Sequence, residues 1–216
     1  MSSKALYRLS GIALLVGGAL SVASMLLTLV PGNPTDPAYF SSVPYMLGGV
    51  LLFVGAALTL MGLPAIIAAQ AARSSVLTVI GVACIFGVNL IYNVANTYVD
   101  LTIFPELFSN PATHDLAQTG PTPVMSVFFN VGMLLAVVGS LTLGIALLRA
   151  GVFPRWIGVV MLLVLPAQIL AMLDIPVVES LAPLLGSIVM IGIGSALLRL
   201  RHAAVAPAAA PVAVPA

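Results

Sequence analysis

Four polar side chains recur along one apolar stretch of the chain at spacings of four, three and four: Asn89, Asn93, Asn96 and Asp100. On an α-helix such spacing places them on one narrow face, with Tyr92 beside it and Tyr98 pointing the other way. At the helical rise the stripe runs about 16 Å. Two further carboxamides, Asn130 and Gln168, fall within other apolar stretches, with Ser126 one turn from Asn130. Carboxamides carry donors and acceptors that hydrocarbon cannot satisfy, so these groups must face one another or water. Two kinds of chemistry answer that demand. The amides act as bonds between helices, each worth about 0.6–2 kcal/mol. Alternatively, Asn89, Tyr92, Asn93, Asn96, Asp100, Asn130 and Gln168 line one ligand-binding pocket, entered past Asp100 and reaching down to Asn89.

Catalytic and metal-binding patterns are otherwise sparse. The two histidines, His114 and His202, lie outside the apolar stretches, where neither serves a buried nucleophile or a haem. Asp100, Glu106, His114 and Asp115 match no ligand spacing, so no metal and no cofactor is expected. Cys84 is the single cysteine, which excludes an intrachain disulfide or a CxxC pair. A net charge of +1 offers no basic patch for nucleic acid.

The elements that would position these residues follow from composition. Hydrophobic residues make up 61% of the 216 and charged ones 6%, with a mean hydropathy of +1.21. Soluble chains carry about a quarter charged residues, so lipid is the expected solvent and the bilayer the first partner. A hydrocarbon core needs about 20 helical residues per crossing. Six stretches qualify: Leu9 to Val30, Pro44 to Ala69, Val76 to Val99, Val124 to Leu148, Trp156 to Leu173 and Val177 to Leu198. They lack the alternation of barrel strands, so the expected fold class is all-α, a six-span transmembrane domain over residues 1–202. The Ala/Pro/Val-rich stretch 203–216 reads as a disordered tail. The first stretch shares its basic start with a signal peptide, but its apolar run exceeds a secretory h-region and is read as a retained helix.

Charge fixes a direction. Lys4, Arg8, Arg73, Arg149, Arg155, Arg199 and Arg201 flank one set of span ends. Asp36, Asp100, Glu106, Asp115, Asp174 and Glu179 flank the other. By the positive-inside rule both termini are cytoplasmic. Tyr39, Phe40, Tyr45 and Tyr98 then mark the outer interface, and Tyr7 and Trp156 the inner one. The stretch Asp100 to Thr122 is expected to be the one sizeable outer loop, and Asp174-Ile175-Pro176 a tight outer turn.

Small residues suggest packing seams: Ala13, Gly17 and Ser21; Gly48, Gly55 and Gly62; Gly132, Ala136, Ser140 and Gly144. Pro166 interrupts the fifth stretch two residues before Gln168. Gly144-Ile145-Ala146-Leu147-Leu148-Arg149 is echoed by Gly194-Ser195-Ala196-Leu197-Leu198-Arg199. Duplication and shared composition at inner helix ends both account for that echo.

The turn Arg149-Ala150-Gly151-Val152-Phe153-Pro154-Arg155-Trp156-Ile157-Gly158, with the start Tyr7-Arg8-Leu9-Ser10-Gly11, resembles six-helix bacterial membrane proteins of the domain-of-unknown-function type. The resemblance implies a multi-pass protein of the bacterial cytoplasmic (inner) membrane and transfers no functional residues. The expected function is non-enzymatic: a small ligand, a lipid or a partner subunit held through the outer polar face. A small-solute transporter or channel is the alternative and an enzyme with an external carboxylate site the third reading. A transporter would need a polar path through the inner half, of which the sequence carries little.

Overall fold

The computed structural model describes residues 3–28, 37–73, 75–109, 113, 122–171 and 181–203, and among these it is helical without strands. Five helices are long and apolar enough to cross a membrane: Ala5–Leu27, Val43–Gln70, Val76–Leu107, Pro123–Ala150 and Leu181–Leu200. A sixth apolar helix, Arg155–Leu170, is shorter. The tail expected over 203–216 lies outside the described residues, save Ala203 at the end of the last helix. The turn Asp174-Ile175-Pro176 and the residues His114 and Asp115 lie outside them as well.

Local chemistry sets the ends. Ser42 and Thr122 each accept a backbone N–H three residues on, from Tyr45 and Met125. Each is followed by a proline in the first turn, where no N–H is needed. At the other end of the fourth span Gly151 takes the left-handed conformation at φ 60°, which closes the helix after Ala150. The second span is interrupted at Leu63, between helices Val43–Gly62 and Pro64–Gln70. Pro64 has no N–H to continue the ladder, while the backbone keeps its helical course through Leu63.

The third span departs from expectation twice. Its helix does not stop at Val99; it continues through Asp100 to Ser109, so the expected outer loop is helical over its first ten residues. Leu101 packs against Gly49, and the Phe104 ring lies 5.9 Å from Phe40, so the apolar face of this extension is anchored on the second span's entry. Pro105 sits in the first turn of helix Phe104–Ser109, where proline is tolerated. The second departure is the winding: Asn89–Asn96 and Val99–Ile103 are π-helical.

The spans form a closed ring in chain order. The first packs on the second, the third on the fourth, the fourth on the fifth and the fifth on the sixth. The second and third meet through Pro64–Gln70 against Ser75–Val88 and through Val43–Gly62 against Asn89–Asn96. The sixth returns to the first. Lipid-facing helices gain no hydrophobic energy by associating, so backbone proximity has to hold the ring. A Cβ at Gly17 would stand 2.7 Å from the Gly55 oxygen, and one at Gly55 2.8 Å from the Gly17 oxygen. Gly11 and Gly194 face each other in the same way across the first and sixth spans, and Gly144 and Gly158 across the fourth and fifth. The two echoed hexapeptides therefore play one part. Each ends an even span with its glycine on a glycine three residues after an arginine, Arg8 or Arg155, of the adjoining span.

Those contacts gather Arg8, Arg73, Arg149, Arg155 and Arg199 at one end of the bundle, all exposed. Arg73 donates to the Ala150 carbonyl at 3.1 Å and so ties the turn between spans two and three to the end of span four. This cation end is filled by Leu14, Leu63, Ile66, Leu143, Leu147, Ile157, Ile193 and Leu197, all at most 1% exposed. Gln70 is also wholly enclosed here; it accepts from the Thr78 hydroxyl, and its Nε2 has no hydrogen-bond partner. Asp100 and Glu106 lie toward the opposite end, beside the packed rings of Tyr39, Phe40, Tyr45 and Phe104.

Candidate functional site

Above the apolar plug the ring encloses a cavity of about 540 Å³ to which every span contributes. That volume falls in the range that holds small organic ligands. The third span supplies Asn89, Tyr92 and Asn93, and the fifth supplies Gln168. These four of the seven candidate residues share one cavity. Asn96, Asp100 and Asn130 are not among its lining residues; Asn130 is exposed on the fourth span.

The winding explains the split. An α-helix repeats every 3.6 residues, so residues seven apart return to one face. In the wider π-helix each residue advances through a smaller angle, and across Asn89–Asn96 the shortfall accumulates to a sizeable fraction of a turn. Neighbours four apart still meet: Asn93 Nδ2 donates to Asn89 Oδ1 at 2.9 Å, and Asn96 Nδ2 donates to Asp100 Oδ2 at 3.0 Å. The single stripe is thus two hydrogen-bonded pairs, Asn89 with Asn93 on the cavity wall and Asn96 with Asp100 off it. Asn89 Nδ2 turns back onto the Ile85 carbonyl at 3.0 Å. All three bonds stay within the third span, so these amides do not join helices. Tyr92 does: its hydroxyl donates to the Phe129 carbonyl at 2.8 Å, and its ring covers Gly132.

Hydroxyls and thioethers complete the lining, and of these the sequence did not single out Thr59, Ser187 or the methionines. Ser21 and Ser24 are joined by Thr59, Ser140 and Ser187, while Met25, Met133, Met161 and Met190 supply thioether walls. Ala136 and Ser140, expected in a packing seam, are buried and also border the cavity, and Gly132 and Gly144 contact neighbouring spans. An inward methionine has no sequence signature among apolar neighbours. Two of the four serines carry one, standing one turn from seam glycines: Ser21 after Gly17 and Ser140 before Gly144.

The hydrogen-bond inventory is uneven. Ser21 donates to the Gly17 carbonyl and Ser187 to the Pro183 carbonyl, so these hydroxyl protons are spent on their own helices. Gln168 stands two residues past Pro166, through which helix Arg155–Ala171 continues. Its Oε1 is buried and has no hydrogen-bond partner. Among the described residues no Asp, Glu, Lys, Arg or His lines the cavity, and no group of three or more metal-ligating side chains forms. The site can therefore hold and orient a molecule through neutral dipoles and a polarisable wall. Comparison with protein-family models, curated proteins and solved structures finds no match.

Proposed function

We propose that this is a multi-pass protein of a bacterial cytoplasmic membrane, with both termini on the cytoplasmic side, that holds a small ligand in the central cavity without transforming it. The observation that carries the reading is the convergence of all six spans on one cavity, with Asn89, Asn93 and Gln168 on its wall. Polar side chains at this depth are costly unless they serve one another or a guest. Asn93 serves Asn89 and Asn89 its own helix, so neither joins spans, while Gln168 Oε1 is left without a partner. The buried apolar end below the cavity favours holding over passage.

Native mass spectrometry on the full chain tests the reading. Wild-type protein is expected to carry a small-molecule adduct. Ala136→Phe and Gly186→Phe should lose it, since both place a ring where the cavity lies and Gly186 has nothing within 4 Å of its Cβ position. Identical adducts on all three proteins would sink the idea.

The direction of insertion rests on charge segregation. In a Cys84→Ala background, cysteines at Asn33 and Asn110 should react with impermeant reagents applied to intact cells. Cysteines at Arg73 and Gly151, both exposed at the cation end, should react only after the membrane is opened. Labelling at Arg73 in intact cells reverses the assignment.

A further inference from the structure

We infer that the cavity takes an uncharged amphiphile, a single apolar chain ending in a hydroxyl or amide N–H that donates to Gln168 Oε1. The inference rests on the ligand-holding reading and names the class of ligand. Three features converge on it.

The first is what the wall cannot offer. Its polar groups are amides and hydroxyls, and no described side chain there carries a formal charge. A carboxylate, phosphate or ammonium brought inside would lose its hydration and find no counter-ion. The second is what the wall lacks. The protons of Ser21 and Ser187, and one each of Asn89 and Asn93, already go to groups on their own helices. The unmet need is the acceptor Gln168 Oε1, unpartnered and closed to a water-sized neighbour as it stands; the broad terminal torsion of a glutamine lets it turn to a donor brought into the cavity. The ligand must bring that donor.

The third is shape. Met161 lies two turns along the same helix from Gln168, about 10 Å toward the plug. Met190 and Met133 line the cavity from the adjoining spans. Thioether side chains adapt to a flexible chain better than branched ones do. A polar acceptor with Met161 and Met190 beyond it, toward the plug, matches a molecule with one polar end and one apolar tail.

Three probes with equal tails separate the possibilities: 1-monolauroylglycerol, laurate and dodecylamine, each added at the same mole fraction to the full chain in phosphatidylcholine nanodiscs. Melting temperature and displacement of the native adduct are read together. Monolauroylglycerol is expected to raise the melting temperature and displace the adduct, and the two charged probes to do neither. Gln168→Leu should bind the neutral probe about tenfold more weakly while melting like the parent when empty, because its oxygen has no partner to lose. Gln168→Met provides the same reading should leucine fold poorly, and Asn130→Leu, outside the cavity, should change nothing. A charged probe that matches the neutral one, or Gln168 variants that bind it as the parent does, overturns the neutral-donor inference. So does failure of all three probes while Ala136→Phe still empties the cavity; the ligand-holding reading then survives. Should Ala136→Phe leave every adduct in place, both fall.

Discussion

Leucine at Gly17 is expected to destabilise the protein by about 3 kcal/mol or more, enough to abolish recovery of folded protein in detergent. Overpacking a well-filled contact commonly costs about 1–3 kcal/mol, because neighbours move or side chains leave their rotamers. Neither escape is open here. The Cβ alone would stand 2.7 Å from the Gly55 oxygen and 3.0 Å from the Thr59 nitrogen, both backbone atoms of the second span. Relief requires the two helices to separate along their seam. Gly186→Leu is the matched control: it adds the same side chain where nothing lies within 4 Å, and should melt close to the parent. Equal melting of the two variants would remove Gly17 and Gly55 from the account of how the ring is held.

Asn89→Asp is expected to cost about 3 kcal/mol at neutral pH, the penalty of a carboxylate near the middle of a membrane helix. The two side chains have nearly the same shape, so packing is held constant. What changes is a donor turned into an acceptor against the Ile85 carbonyl, and a charge in a cavity with no described cation on its wall. Asn93→Leu, by contrast, removes only a donor whose partner is a neighbour one turn away, and should cost under about 1 kcal/mol. Chemical denaturation of the purified variants measures both. An Asn89→Asp protein as stable as its parent means that the cavity is filled with bulk water, and the neutral amphiphile loses its physical basis.

Much of the scaffold was legible because few physical rules govern it. Runs of apolar residues as long as Val124 to Leu148 have one use, and Gly17, Gly55 and Gly144 stand where helices touch because only small residues let backbones approach. What escaped was set by contacts distant in sequence. Asp100, Pro105 and Glu106 look like a loop until Leu101 meets Gly49 and Phe104 meets Phe40. The π-winding of Asn89–Asn96 is a choice of carbonyl for each N–H, invisible in residue types, and it removed Asn96 and Asp100 from the face they share on an α-helix. Ala136 and Ser140 are small enough for a seam and small enough for a cavity wall, and residue type does not reveal that they border a cavity.

The contact of Gly11 with Gly194 has a consequence for how the molecule is made. Every other main seam joins neighbours in the chain, so each new helix can dock on the one inserted just before it. The first helix alone must wait for its second partner until synthesis has passed residue 194. Through most of translation its Gly11 side faces lipid or a chaperone, and a ribosome stalled after the fifth helix leaves an open arc with two bare edges. Quality control acting on this protein should therefore recognise the N-terminal helix, and the last helix supplied as a separate polypeptide should rescue a chain that ends before it.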